Sequence, residues 1–136
     1  MESLIIQDVS NKNSFELYCE IESGSTDYNC LLRLNYEYFD RTIKTENIWN
    51  LCIDDFVLFY NEIENMAQTF SGQAKLCTFD NQSLTLLIDE MGHVTVDISD
   101  GVDGYNGYVH FVFDIDQSYL PGIMEQVYRF CGNDLY

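Results

Sequence analysis

The sequence has little positive charge, one proline and no long apolar run. Six Lys and Arg residues stand against 23 Asp and Glu, which gives a formal net charge of −17 at pH 7. A chain this acidic repels phosphate backbones and anionic lipids, so we expect neither nucleic acid nor a membrane as its partner. The absence of a long apolar run also argues against a membrane span. Such a charge favours a basic protein as partner, although acidity also accompanies ordinary solubility.

The cysteines lack a recognisable spacing. There are five of them, with no CxxC pair: Cys19, Cys30, Cys52, Cys77 and Cys131. Zinc sites and disulfide frameworks need more regular patterns, so we expect reduced and mostly buried thiols. The opening MESLIIQDVS begins with an acid and has no basic region before a long apolar core, unlike a signal peptide. Both observations favour a cytoplasmic protein.

Motifs of catalysis and cofactor binding are also missing. The sequence contains no GxSxG, no GxxxxGK[ST] and no GxGxxG after a predicted strand. The two histidines, His93 and His110, have no neighbouring ligand at metal-site spacing. The acidic stretch from Asp97 to Gly107 fails the ligand spacing of a calcium loop. We therefore expect no catalytic, cofactor-binding or metal-binding residues, and no enzyme activity.

The apolar pattern predicts one α+β domain over residues 1–136. Hydrophobic residues make up 46% of the chain, which is enough for a single core. Segments such as SFELYCEI alternate with the period of a half-buried strand. Residues 53–70 and 118–131 instead carry apolar stripes at helical spacing, with Gly72 expected to end the first helix. The prediction is a mainly antiparallel, twisted sheet of about seven to eight strands, with two helices packed on one face.

The segment FDIDQSYLPGIMEQVYRF, from Phe113 to Phe130, could be a catalytic loop or a strand leading into a helix. Asp116 or Ser118 can cap a helix N-terminus, and Pro121 falls in the first turn, where its missing N–H costs little. The residues therefore favour a strand-to-helix transition.

Three stretches of the second half together resemble a known family. They are SGQAKL (Ser71 to Leu76), GHV (Gly92 to Val94) and DQSYLP (Asp116 to Pro121). In this order, over roughly residues 50–131, they resemble the WapI-type immunity proteins of bacterial polymorphic toxin and contact-dependent growth inhibition systems. The N-terminal third matches only as generic strands.

The resemblance implies a non-catalytic cytoplasmic protein that binds and neutralises the toxic C-terminal domain of a contact-delivered protein. Such toxins are often nucleases, and a nuclease needs a basic surface to hold phosphates. The charge of −17 suits a basic nuclease as the cognate partner. Two alternatives remain open: an acidic nucleic-acid mimic that inhibits another nucleic-acid-binding protein, and a small enzyme without a recognisable motif.

The resemblance transfers no toxin-contacting residues, so we predict them from chemistry. Acids and tyrosines cluster in and beside the glycine-rich stretch after HVTVDIS, and tyrosine is enriched at binding hot spots. The predicted partner-binding residues are Asp97, Asp100, Asp103, Tyr105 and Tyr108. The outward side of the first helix, with Val57, Leu58, Asn61 and Glu62, is the second candidate surface.

Overall fold

A computed structural model describes residues 1–21, 24–101 and 109–132, and within them it contains eight strands and two α-helices. The first four strands are β1 (Glu2–Gln7), β2 (Ser14–Cys19), β3 (Asp27–Tyr38) and β4 (Arg41–Cys52). Helix α1 (Ile53–Thr69) leads to β5 (Gln73–Cys77), β6 (Ser83–Ile88), β7 (His93–Asp100) and β8 (Val109–Asp116). A 3-10 turn (Gln117–Tyr119) then runs into α2 (Leu120–Tyr128).

The strands form two antiparallel sheets, in the orders β1-β2-β3-β4 and β5-β6-β7-β8. The α+β class, the strand number and the antiparallel pairing are confirmed. The prediction of a single sheet is wrong. Helix α1 follows β4 directly and separates it from β5, which pairs with β6 in a second sheet. Each half of the chain therefore builds its own sheet of consecutive hairpins.

The two helices contact each other and cover the outer strands β5 and β1, so they do not share one face of a single sheet. Glu62 on α1 accepts a hydrogen bond from the backbone N–H of Lys75 on β5 at 3.0 Å. Gln126 on α2 holds the backbone of Ile5 on β1 through its amide oxygen at 2.8 Å and its amide nitrogen at 3.2 Å. Both contacts satisfy backbone groups that an edge strand would otherwise expose.

Buried side chains from both sheets and both helices form one hydrophobic cluster. Phe15 meets Trp49 edge-on at 5.5 Å between ring centroids, and Phe56 of α1 stacks on Phe130 at 4.4 Å. The hydroxyl of Tyr28 donates a hydrogen bond to the carbonyl of Phe130 at 2.9 Å, which joins β3 to the residues that follow α2. Rings packed at these distances are among the larger contributors to a core.

The cysteine prediction is wrong for one pair. Cys19 and Cys30 form a disulfide, while Cys52, Cys77 and Cys131 are thiols. Cys19 and Cys30 are directly opposite in the register of β2 and β3, with their Cα atoms 4.4 Å apart. Two strands of one hairpin thus bring together cysteines that have no conventional spacing in the sequence.

The first helix ends differently from the prediction. Phe70, with a φ of 54°, takes the left-handed position after α1, and its N–H donates to the carbonyl of Met66 at 2.8 Å. Gly72 adopts a φ of 93° in the short link to β5. A bulky residue at positive φ is unusual, and the ring of Phe70 remains 58% exposed.

Candidate partner-binding site

Three carboxylates lie on the exposed face of the second sheet. Along β7 and β8, buried residues alternate with exposed or half-buried ones, so one face meets the core and the other meets water. The strand register places Asp97 opposite Val112, and it places Asp114 and Asp116 further along β8 on the same outward side. Val112 is 49% exposed among them. We call Asp97, Val112, Asp114 and Asp116 the acidic face.

The carboxylates of the acidic face have polar partners but no Lys or Arg ion pair within the described part of the chain. The Nε2 atom of His110 lies 2.9 Å from Asp97, and the hydroxyl of Thr95 donates to Asp114 at 3.3 Å. The backbone N–H of Ser118 donates to Asp116 at 2.8 Å and lowers the pKa of that carboxyl.

The first sheet is different, because its outward-facing acids are partly neutralised. Arg33 on β3 contacts Glu46 on β4 at 3.2 Å, and Lys12 lies 3.6 Å from Glu37. Exposed ion pairs of this kind contribute little to stability, but they cancel charge locally. The acidic face of the second sheet therefore presents the less compensated negative charge to a partner.

Asp100 is a buried residue with a structural position. It is the last residue of β7 and only 4% exposed. One of its oxygens, Oδ1, accepts hydrogen bonds from Asn47 at 3.0 Å, from the indole N–H of Trp49 at 3.0 Å and from Gln82 at 3.1 Å. Because Asn47 and Trp49 belong to β4, this carboxylate joins the two sheets.

The five predicted contact residues therefore do not lie together on one described surface. Asp97 lies on the acidic face, half-buried and beside His110. The prediction that Asp100 belongs to a surface loop is wrong, since the residue completes a strand and its carboxylate is bonded inside the protein. Asp103, Tyr105 and Tyr108 lie outside the described residues.

Sequence reasoning missed Asp114 and Asp116 as neighbours of Asp97. The sequence of one strand does not determine its register with the next, and this register brings the three residues together. The alternation of VHFVFDID did place Asp114 on the side away from Phe113, which was the available signal.

The second candidate surface, on α1, is only partly available. Leu58 is 59% exposed and Asn61 is exposed, so both could meet a partner. Val57 instead packs against the core cluster. Glu62 is half-buried and bonds the backbone of Lys75. The surface offers one large apolar side chain without a dense charge.

The segment around Asp116 has the predicted capping role. Asp116 is the residue before the 3-10 turn, and its bond to Ser118 closes the first turn. The N–H of Gln117 donates to the carbonyl of Gly92 at 3.1 Å, so the GHV and DQSYLP stretches meet in space. A side chain at Gly92 would place its Cβ 3.0 Å from Gln117. These two stretches build the fold where the last helix begins.

Two further observations bear on chemistry. Across residues 1–21, 24–101 and 109–132, no three His, Cys, Asp or Glu side chains are grouped so that they could hold a metal ion. Neither helix of the described segments has the length and apolarity that crossing a bilayer requires.

Comparison with protein families places the chain. The model of the immunity protein WapI-like family matches residues 9–132. The chain belongs to the WapI-like immunity protein family. The match extends well beyond residues 50–131, into the strands of the first sheet that resembled the family only generically. A comparison with curated proteins finds no match. Membership indicates a role in immunity to a toxin and implies that the chain binds a cognate toxin.

Proposed function

We propose that this chain binds and neutralises a toxin domain with a basic surface, and that the toxin is a nuclease. The observation that carries the proposal is the net charge of −17, together with an acidic face that lacks Lys or Arg ion pairs in the described part of the chain. An immunity protein needs no active site, so we propose that the chain acts by binding alone, without catalysis.

The physical argument concerns the surface that a nuclease must carry. An enzyme that cleaves RNA or DNA gathers Lys and Arg to hold phosphates. An inhibitor with a dense negative field is attracted to that surface at long range, which speeds association. Asp97, Asp114 and Asp116 provide such a field on one side of the fold, and Val112 adds apolar area between them.

The cellular compartment follows from the same proposal. A toxin delivered by contact acts inside the recipient cell, so we propose that its inhibitor meets it in the cytoplasm. The Cys19–Cys30 disulfide removes the argument from reduced thiols, and this placement rests on the site of toxin action alone. Association must then outpace damage by the toxin, and electrostatic attraction serves that requirement because it acts on the association rate.

The proposal predicts that a toxin gene lies next to the gene of this chain. The test is to co-express the chain with the C-terminal domain of that toxin, and to measure growth and association rate. A triple variant removes the charge of the acidic face: Asp97→Asn, Asp114→Asn and Asp116→Asn. A control triple removes three exposed carboxylates elsewhere: Glu20→Gln, Glu64→Gln and Glu125→Gln. Both variants lose the same net charge, so a difference between them reports the position of the charges.

We expect the wild-type chain to rescue growth. The acidic-face variant should associate about 10-fold more slowly at low salt, with a weaker salt dependence than wild type. The control variant should remain within about 3-fold of wild type, since only the long-range field changes. Equal rates for the two variants would show that the toxin does not dock on the acidic face. Failure of the wild-type chain to bind or rescue would contradict the proposed function.

A further inference from the structure

Phe79 is the most exposed large apolar side chain in the described residues, at 99%. It occupies the turn between β5 and β6, where nothing in the hydrophobic core requires an aromatic ring. A phenylalanine in water gains nothing for the fold, and aromatic residues are enriched at the buried centres of protein interfaces.

The turn that carries Phe79 is held by an internal set of hydrogen bonds. The hydroxyl of Thr78 accepts from the N–H groups of Asp80 at 3.2 Å and Gln82 at 3.3 Å, and it donates to the side-chain oxygen of Gln82 at 3.0 Å. The backbone N–H of Thr78 donates to the carbonyl of Gln82 at 2.9 Å. Thr78 and Gln82 are buried, while the three residues between them, Phe79 among them, are exposed.

Gln82 also fastens this turn to the rest of the molecule. Its Nε2 atom donates to Asp100 at 3.1 Å and lies 3.4 Å from the carbonyl oxygen of Ile48 on β4. The backbone of the turn that carries Phe79 is therefore held in place before any partner arrives. Preorganisation of this kind lowers the entropy lost on binding.

An open cleft of about 410 Å³ lies between Phe79 and the neighbouring ends of β3 and β4. Its walls include apolar and amide groups together with one acid: Asp27, Asn29, Asn50, Leu51, Cys52 and Phe79. Asp27 is the only charged residue in the described lining. Burial raises the pKa of the Cys52 thiol, which keeps that wall uncharged at neutral pH.

We propose that this cleft receives an arginine side chain of the toxin. The inference rests on the proposed function and names one contact within it. The flat guanidinium can stack on the exposed ring of Phe79 while its N–H groups reach the Asp27 carboxylate and the amide oxygens of Asn29 and Asn50.

Charge complementarity decides among possible occupants. A second copy of this chain would bring a further −17 to an acidic site, so self-association through the cleft is unfavourable. A lysine would satisfy Asp27 but lacks the planar group that stacks on a ring and bonds several acceptors at once. A basic nuclease supplies arginines on its phosphate-binding surface.

The Phe79 turn lies at the end of the second sheet that is nearest to Asp97 of the acidic face. In the register of the second sheet, Cys77 pairs with Ser83, Ser83 with Ser99 and Ser99 with His110. This row lies at the end of the sheet from which the Phe79 turn projects. His110, at that end, contacts Asp97 of the acidic face.

The first experiment measures the affinity of the full chain for the neighbouring-gene toxin domain. Phe79→Ala should weaken binding about 30-fold, as expected for an aromatic hot spot, and Asp27→Asn about 10-fold. Phe79→Trp should restore most of the affinity because the larger ring still stacks on a guanidinium. Phe39→Ala is the matched control: Phe39 is 85% exposed at the β3–β4 hairpin, and its loss should change affinity less than about 3-fold.

If the wild-type chain binds and rescues growth while Phe79→Ala and Asp27→Asn bind as well as wild type, the inference is overturned and the proposed function stands. If the wild-type chain does not bind, both fail together.

A second experiment needs no toxin. Backbone NMR shifts of the wild-type chain are followed while N-acetyl-arginine amide is added, and the titration is repeated with the uncharged citrulline analogue. We expect shifts at Asp27, Asn50 and Phe79 with the arginine compound, and their loss in Phe79→Ala. Equal shifts with citrulline, or none at the cleft with arginine, would overturn the inference.

Discussion

Replacement of Asp100 tests whether this buried carboxylate joins the two sheets. In Asp100→Ala, three side chains lose their shared acceptor. Trp49 is fully buried, so its indole N–H cannot turn to water, and an orphaned buried donor costs about 1–3 kcal/mol. The other two lost bonds add about 1 kcal/mol each, which gives a total of about 3–5 kcal/mol. That is a large share of the roughly 5–15 kcal/mol by which domains are stable.

Asp100→Asn removes the negative charge of this side chain but keeps an oxygen acceptor. All three described donors meet the same oxygen, Oδ1, and an asparagine can place its carbonyl oxygen there. We expect a loss of only about 1–2 kcal/mol, from weaker bonds to a neutral acceptor. Affinity for the toxin should be unchanged in this variant, because Asp100 is almost wholly buried.

Urea unfolding followed by the fluorescence of Trp49, the only tryptophan, is the assay. Asp114→Ala is the matched control, since its carboxylate is exposed, and its effect should stay within about 0.5 kcal/mol of wild type. A loss below about 1 kcal/mol for Asp100→Ala would refute the reasoning. So would equal losses for the Ala and Asn variants.

Three other predictions concern single contacts. Asp116→Ala should lower the melting temperature at pH 7, and the difference from wild type should vanish in strong acid. The pKa of Asp116 is lowered in the folded chain, so its contribution is present above the unfolded-state value of about 4 and lost as the pH falls through the folded value. Alkylation of the denatured, unreduced protein should label three cysteines, because Cys19 and Cys30 are joined, and five labels would contradict the disulfide. Reduction of the disulfide should lower the free energy of unfolding by about 3 kcal/mol. Gln126→Ala should cost about 1–2 kcal/mol and speed hydrogen exchange at Ile5, and unchanged exchange there would show that the β1 edge does not depend on this contact.

Much of the local structure could be predicted because it is encoded in short-range patterns. The alternation of SFELYCEI matches β2, and the apolar stripe of residues 53–70 matches α1. The capping role of Asp116 followed from residue chemistry in the same way. These features depend on neighbours within a few positions, and a sequence shows such neighbours directly.

Long-range pairing could not be predicted from those patterns. Whether β4 and β5 share a sheet depends on the direction in which α1 leads the chain between them. The partner of Cys19 depends on the register of the β2–β3 hairpin. The burial of Asp100 could be predicted in part. Asp100 lies on the same side of β7 as Val94, Val96 and Ile98, which are apolar residues of the core. Its partners Trp49 and Gln82 could not be predicted, because they are distant in sequence.

The measurement closest to the central claim is a titration of toxin activity. The toxin domain encoded beside this chain is assayed for cleavage of RNA and DNA, including tRNA, while the chain is added in increasing amounts. The proposed function predicts that cleavage falls linearly and stops at one chain per toxin domain, with higher salt slowing the onset of inhibition. Persistent cleavage at a large excess of the chain would contradict neutralisation by binding, and a toxin domain that cleaves neither RNA nor DNA would contradict the assignment of a nuclease.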